Sequence, residues 1–137
     1  MHDAGVPNAR VDDLLVRARH GWTRLTASEA LEAVRHGALL VDIRTAAQRA
    51  RTGDLPGALV IDRTVLEWRL DPTSATRIPE ADGRPRIVVV CRQGYSSSLA
   101  ARSLRDLGLD ATDVVDGVEG WIGASLPMTW EPADVRE

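Results

Sequence analysis

The run Val88-Val89-Val90-Cys91-Arg92-Gln93-Gly94-Tyr95-Ser96-Ser97-Ser98 carries the only cysteine of the chain out of an apolar segment, through a polar loop, and into an Ala/Leu-rich pattern. β-Branched residues suit the pleated surface of a strand, and Ala100, Leu104 and Leu107 recur at helical spacing. The run therefore reads as strand, turn and helix N-terminus. A cysteine is a useful nucleophile only as its thiolate, a form favoured beside the unpaired N–H groups that open a helix. Gly94 frees the loop backbone to turn further N–H groups inward as an anion-binding nest. Ser96, Ser97 and Ser98 add hydroxyl donors and capping capacity, and Arg92 adds a guanidinium. A free cysteine at a strand end is often just a small apolar side chain. A structural strand end has no need of the polar, glycine-bearing loop that follows, and this favours a nucleophile at Cys91.

On either side of this run, helical patterns alternate with short apolar strands. Residues 1–22 are expected to form an N-terminal helical arm and residues 23–137 one domain. In the arm, Val11, Leu14, Leu15 and Ala18 share a helix face, with Asn8 at a capping position, Asp12 and Asp13 in the first turn, and Gly21 as the stop. The arm is expected to pack on its own domain, with a contact between two copies of the chain as the alternative. Thr26 and Glu29 are spaced as a capping box for a helix through Ala30, Leu31 and Val34 that stops at Gly37. Ala38 to Val41 reads as a strand buried on both faces, with Asp42 and Arg44 at its C-terminal end, where open α/β sheets place their sites. A helical segment through Arg49 and Arg51 leads to the turn Gly53 to Ala58, then a strand over Leu59 to Ile61 and a short helix over Val65 to Leu70, stopped by Asp71-Pro72. Thr73 to Arg86 reads as a polar surface connection, Ile87 to Val90 as the third strand, Thr112 to Val115 as another, and Asp116 to Trp121 as a turn with one helical turn. Gly108 would end the helix that follows the cysteine, and Trp130 would fold back in a short tail. This alternation predicts an α/β fold: a parallel twisted sheet with helices on both faces.

At 137 residues the chain is of single-domain size, and its net charge of -3 offers no bulk attraction to nucleic acid or to an anionic membrane. No apolar run approaches the length of a membrane span, and Met1 to Arg10 lacks the pattern of a signal peptide, so a cytoplasmic location is expected. A single cysteine forms no internal disulfide and builds no cysteine-based metal site; no metal and no cofactor are expected. The basic residues are all arginine, with no lysine, which reads as compositional bias.

With the motifs in view, residues 24–127 resemble the rhodanese family of sulfurtransferases. Val41-Asp42-Ile43-Arg44 is similar to its Asp-x-Arg strand end, and Gly53-Asp54-Leu55-Pro56-Gly57-Ala58 to its Gly-His-Ile-Pro-Gly-Ala turn. Val88 to Ser97 is similar to its strand and active loop, and Asp116-Gly117-Val118 through Trp121 to its Gly-Gly-x-x-x-Trp ending. The order of these four motifs, more than any one of them, carries the resemblance. It implies a three-layer fold and a reaction in two halves. Cys91 takes a sulfane sulfur from a donor such as thiosulfate as a persulfide, and then gives it to cyanide in an assay or to a thiol in the cell, including a thiol on a sulfur-acceptor protein. It implies that the N–H groups from Arg92 to Ser97 (Arg92, Gln93, Gly94, Tyr95, Ser96, Ser97) stabilise the thiolate and the persulfide. Asp54 stands where the family usually has His, Asp116 where it usually has Gly, and the loop lacks the arginine often found toward its end. Recognition of an anionic donor then falls to Arg92 and to Arg44 or Arg49; the alternative for the last two is an ion pair with Asp42 or Glu67.

His2, His20 and His36 lie apart from the loop in sequence and read as solvated. Asp12 with Asp13 reads as first-turn helix charge, and Asp110 with Asp113 as loop charge. The four tryptophans read as core or edge packing, with Trp68 and Trp121 as candidate pocket walls. Two other functions remain open. A phosphatase or arsenate reductase of similar architecture needs Cys-x5-Arg, and position 97 is serine. A noncatalytic rhodanese-like binding module often lacks the cysteine that is present here.

Overall fold

In the computed structural model, which describes residues 9–137, five short strands form one sheet. They are β1 (Leu39–Asp42), β2 (Leu59–Val60), β3 (Ile87–Val90), β4 (Ala111–Asp113) and β5 (Asp134–Val135), arranged β4-β3-β1-β2-β5 with every pair parallel. Val41 lies opposite Leu59 on one side and Val89 on the other, so β1 is central. Consecutive side chains of a strand point to opposite faces, and both faces here are covered. Val41, Ile87 and Val89 join one core cluster with Leu66, Leu70, Ala100 and Leu104, while Leu40, Val88 and Val90 join a second with Ala30, Val118 and Trp121. That is why the strand sequences read as continuous apolar runs.

The helices are α1 (Arg10–Ala18), α2 (Ala27–Arg35), α3 (Ala46–Thr52), α4 (Leu66–Leu70), α5 (Ser96–Asp106) and α6 (Gly117–Gly123). A 3-10 turn over Arg63–Val65 runs directly into α4. On one face α4 and α5 cover the sheet, and on the other α2 and α6 do, giving three layers. Thr26 and Thr45 each begin a helix with a complete capping box, their partners being Glu29 and Gln48. Each cap stabilises its helix by about 1 kcal/mol.

Several expectations need correction. In α1 only Leu15 and Ala18 are buried; Val11 and Leu14 face outward. The helix ends at Ala18, before Gly21; Asn8 lies outside the described residues, and Ala9 at the cap position contributes no side-chain hydrogen bond. Leu107 is the C-cap of α5, beyond the last buried residue Leu104, and it is exposed. The connection Thr73 to Arg86 contains a 3-10 helix, Pro79–Gly83, that buries Ile78 and Ala81 against the core. The tail does fold back, since Thr129 and Asp54 exchange backbone hydrogen bonds at 2.8 Å, but it also adds the unpredicted strand β5 beside β2, and Trp130 itself is exposed. No described helix is long and apolar enough to cross a membrane.

Connections from β1 lead to β2 on one side, and those from β3 lead to β4 on the other. Loops after β1 and β3 therefore diverge and leave a crevice at the carboxyl ends of the strands. Cys91 is the first residue beyond β3, on the lip of that crevice.

Candidate active site

Cys91 is 7% exposed, and its thiol is held by its own loop. Its Sγ accepts the backbone N–H of Gly94 at 3.2 Å and of Ser97 at 3.3 Å, and it donates to Ser97 Oγ at 3.2 Å. Tyr95, at the N-cap of α5, provides no side-chain cap. The helix-opening N–H of Ser97 is thereby left to the sulfur, where the partial positive charge of the helix start favours an anion.

The loop is shaped by glycine at two places. Gly94 has φ +88, and a Cβ there would lie 3.0 Å from the Asp116 nitrogen and 3.1 Å from both Arg24 Nη2 and Val114 O. Gly117 has φ +55, and its Cβ would lie 2.3 Å from Cys91 O. That close approach lets Val118 N–H bond Cys91 O at 2.9 Å and Glu119 N–H bond Arg92 O at 3.1 Å, so α6 holds the outer strand of the loop. Asp116 has φ +61, a left-handed conformation that Asp tolerates better than most residues, which explains aspartate where glycine is usual.

Under the loop lies a buried polar network. Ser97 and Ser98 donate their hydroxyls to Asp113 Oδ2 at 2.8 and 2.7 Å. Arg24 grips the same carboxylate, Nε to Oδ1 at 2.7 Å and Nη2 to Oδ2 at 3.0 Å. The backbone of Leu25 bonds Asp113 O and receives Val115 N–H, which fixes Arg24 beside the end of β4. Asp113 is thus no loop charge: it ends β4, fully buried, and supports the active loop. Gly94 O accepts from Arg19 Nη2 at 2.9 Å and Arg24 Nη2 at 2.8 Å, and Arg19 Nε also donates to Ser98 Oγ at 2.9 Å. Burial pushes the Arg19 guanidinium below its ordinary pKa, with Arg24 adding to the effect, while Asp113, Tyr95 and Cys91 pull it back.

Above the thiol is a cavity of about 360 Å³ whose lining includes Ile43, Thr45, Gln48, Arg63, Gln93 and Tyr95. Arg44, Arg92 and Ser96 complete it. Arg44 is buried, and its guanidinium is committed to Asp42 (Nη2 to Oδ2, 2.8 Å), Thr52 Oγ1 and Gly53 O, each at 3.0 Å. Arg92 is exposed and bonds Glu119 Oε1 at 3.1 Å, with Gln93 on the other carboxylate oxygen at 3.3 Å. Arg49 does not reach the cavity; its Nη1 bonds Asp54 Oδ1 at 3.1 Å, at the Gly53 to Ala58 turn. Asp54, in the position of the usual histidine, therefore anchors that turn. Glu67 pairs with Arg63, which lines the cavity from the end of β2. Sequence reasoning missed Arg63, although its place just past a strand end is the signal that marks such sites. Trp121 is buried behind the sheet and donates to Pro127 O at 2.8 Å, and Trp68 is exposed; neither walls the cavity. Nor do His20 and His36 line it, and His2 lies outside the described residues. A second cavity of about 440 Å³ lies between the Gly53 to Ala58 turn and the tail, and the thiol is not part of its lining.

A family model for the rhodanese-like domain matches residues 26–124. Over 92 residues the chain is 32% identical to the adenylyltransferase and sulfurtransferase MOCS3 of Arabidopsis thaliana; the match covers 61% of this chain and 20% of that protein, so the chain spans about a fifth of this relative. Among solved structures, a Rhodopseudomonas palustris protein described as a "Possible Tyrosine Phosphatase" superposes with a TM-score of 0.79 and 26% identity, covering 93% of this chain and all of the other. A Pseudomonas aeruginosa thiosulfate sulfurtransferase superposes with a TM-score of 0.63 and 19% identity, covering 82% of this chain and 21% of that one, a likeness of fold.

Proposed function

The chain belongs to the rhodanese-like domain family, and we propose that it is a sulfurtransferase that carries a sulfane sulfur on Cys91. The observation that carries this reading is the sulfur of Cys91 on the floor of the cavity, facing the N–H groups of Gly94 and Ser97 at the start of α5. Donors placed this way stabilise a thiolate before reaction and a persulfide anion after it.

In the first half-reaction the Cys91 thiolate attacks the outer sulfur of thiosulfate. A sulfur–sulfur bond forms to Cys91, the bond to the inner sulfur breaks, and its electron pair leaves with sulfite. The enzyme is left as a persulfide anion, so charge is conserved. In the second, cyanide or a cellular thiolate attacks the outer sulfur and returns Cys91 as a thiolate; with cyanide the product is thiocyanate. Arg63 and Arg92, each paired with a glutamate, present their remaining guanidinium N–H groups at the cavity to an anionic donor, and Arg44 contributes chiefly by shaping its wall. With no second thiol in the chain, the persulfide has no internal partner with which to form a disulfide. Sulfur passes to a small thiol or to an acceptor protein, and the reduced thiol suits the cytoplasm.

The test is intact mass after thiosulfate treatment, together with thiocyanate release from cyanide. The wild-type chain is expected to gain one sulfur atom and to turn over, and Cys91→Ser to do neither. If wild type and variant are indistinguishable across several sulfur donors, the proposal is wrong and a binding module remains. Phosphate release from an aryl phosphate would favour a phosphatase instead, a chemistry for which Ser97 stands in the place of the clamping arginine, its hydroxyl turned to Asp113.

A further inference from the structure

Arg19 and Arg24 both precede residue 26, where the family match begins, and both bond the carbonyl of Gly94. In a trans peptide the C=O and the next N–H point in opposite directions, and no described peptide is cis. Fixing Gly94 O on two guanidinium groups therefore aims the N–H of Tyr95 the other way, and Tyr95 lines the cavity. α1 is in turn held on α5, where Arg102 donates to Ala18 O at 2.9 Å and also to His20 O. The end of the arm is thus seated firmly enough to act on the loop.

The charge balance singles out Arg19. Around the sulfur, Asp113 is matched by Arg24, Asp42 by Arg44, Glu67 by Arg63 and Glu119 by Arg92. Arg19 instead gives its hydrogen bonds to a hydroxyl and a carbonyl, so among the described residues its charge has no carboxylate at bonding distance. The other ionisable residues beside the loop are Tyr95, which lines the cavity, and Asp116, whose backbone nitrogen would lie 3.0 Å from a Cβ at Gly94.

We propose that Arg19 is a positioning residue for Cys91: from the end of the N-terminal arm it fixes the Gly94–Tyr95 peptide and supplies an unmatched positive charge beneath the thiolate. The inference rests on Cys91 being the reactive group, as in the proposed function, but its readout needs no sulfur donor.

The experiment is the rate of Cys91 alkylation by iodoacetamide across pH, in the full chain, for wild type, Arg19→Met and Arg19→Lys. Losing the charge from a half-exposed site is expected to slow alkylation near neutral pH roughly three- to fivefold and to move the midpoint of the pH profile upward. Arg19→Lys, which keeps the charge and one donor, is expected to recover most of the rate. An arm that serves stability alone predicts lower melting temperatures with an unchanged alkylation profile, and that result overturns the proposal. Should Arg19→Met not fold, Arg19→Gln, which keeps a donor without charge, carries the same test against Arg19→Lys. If wild type fails to load sulfur while Arg19→Met still slows alkylation, the sulfurtransferase reading falls and this one stands. The opposite pair of results sinks only this one.

Discussion

Two strand ends of the sheet carry the same device, an aspartate gripped by an arginine at two atoms, and use it for different ends. At β1, Asp42 and Arg44 are two residues apart with side chains each 1% exposed, and the arginine extends to Thr52 and Gly53 O. At β4, Asp113 is completely buried but its partner Arg24, 18% exposed, comes from 89 residues away and extends to Gly94 O. The first pair braces the turn behind the crevice, and the second braces the loop that holds the thiol. A buried ion pair offsets its own desolvation only when its remaining donors and acceptors are satisfied, and both pairs meet that condition through a neighbouring carbonyl. What separates them is the segment each one immobilises, and so the property that each one's loss should disturb.

The largest effect should come from Asp42→Ala. It strands a buried guanidinium, which costs about 3–5 kcal/mol and lowers the melting temperature by on the order of 10 °C; calorimetry showing a shift of only about 2 °C would mean that Arg44 finds water. Next, Asp113→Asn keeps the shape of the side chain and leaves Arg24 partly solvated, so its cost should be smaller, about 1–3 kcal/mol. Sulfur loading of Cys91 should nonetheless slow by on the order of tenfold, since the loop is no longer held in register. If Asp42→Ala slowed loading more than Asp113→Asn at matched stability, the division of labour would be wrong. The smallest effect belongs to a partly buried pair at the edge of the fold, Glu80 and Arg136. Hydrogen bonds from Arg136 hold the Glu80 carboxylate below its ordinary 4.5. The stabilisation is therefore complete above that ordinary value and lost as pH falls through the depressed one. Glu80→Gln should flatten this acid limb in a urea titration while changing stability at neutral pH by about 1 kcal/mol or less.

Legibility in the sequence followed distance along the chain. Ile87 to Val90 was readable as a strand to the residue, because a parallel strand covered on both faces leaves an unbroken β-branched run. The Thr26–Glu29 capping box was visible, and the Asp42–Arg44 pair stood as one of two readings, because their members lie two or three residues apart; the equally local Thr45–Gln48 box went unread. Asp113 lies within the strand read over Thr112 to Val115, yet its carboxylate reads in the sequence as a loop charge, because its partners Arg24, Ser97 and Ser98 reach it only once the sheet is assembled. Strand β5 has no apolar pattern to announce it, since its two residues are exposed and joined to β2 by the backbone alone. Arg92 was adjacent to the thiol in sequence, and Glu119 turns it along the rim. The direction of a side chain is settled by its partner, and that partner lay beyond the reach of a local pattern.

Gly117 sets a rule for anyone wishing to move this loop into another scaffold. The backbone of α6 presses against Cys91 O and Arg92 with no room for even a methyl group. Residues 91–98 are therefore only half of a mould, whose other half is Asp116 to Gly120. A graft that leaves the second half behind would bring the cysteine and every loop residue across intact, yet without the surface that gives them their curvature.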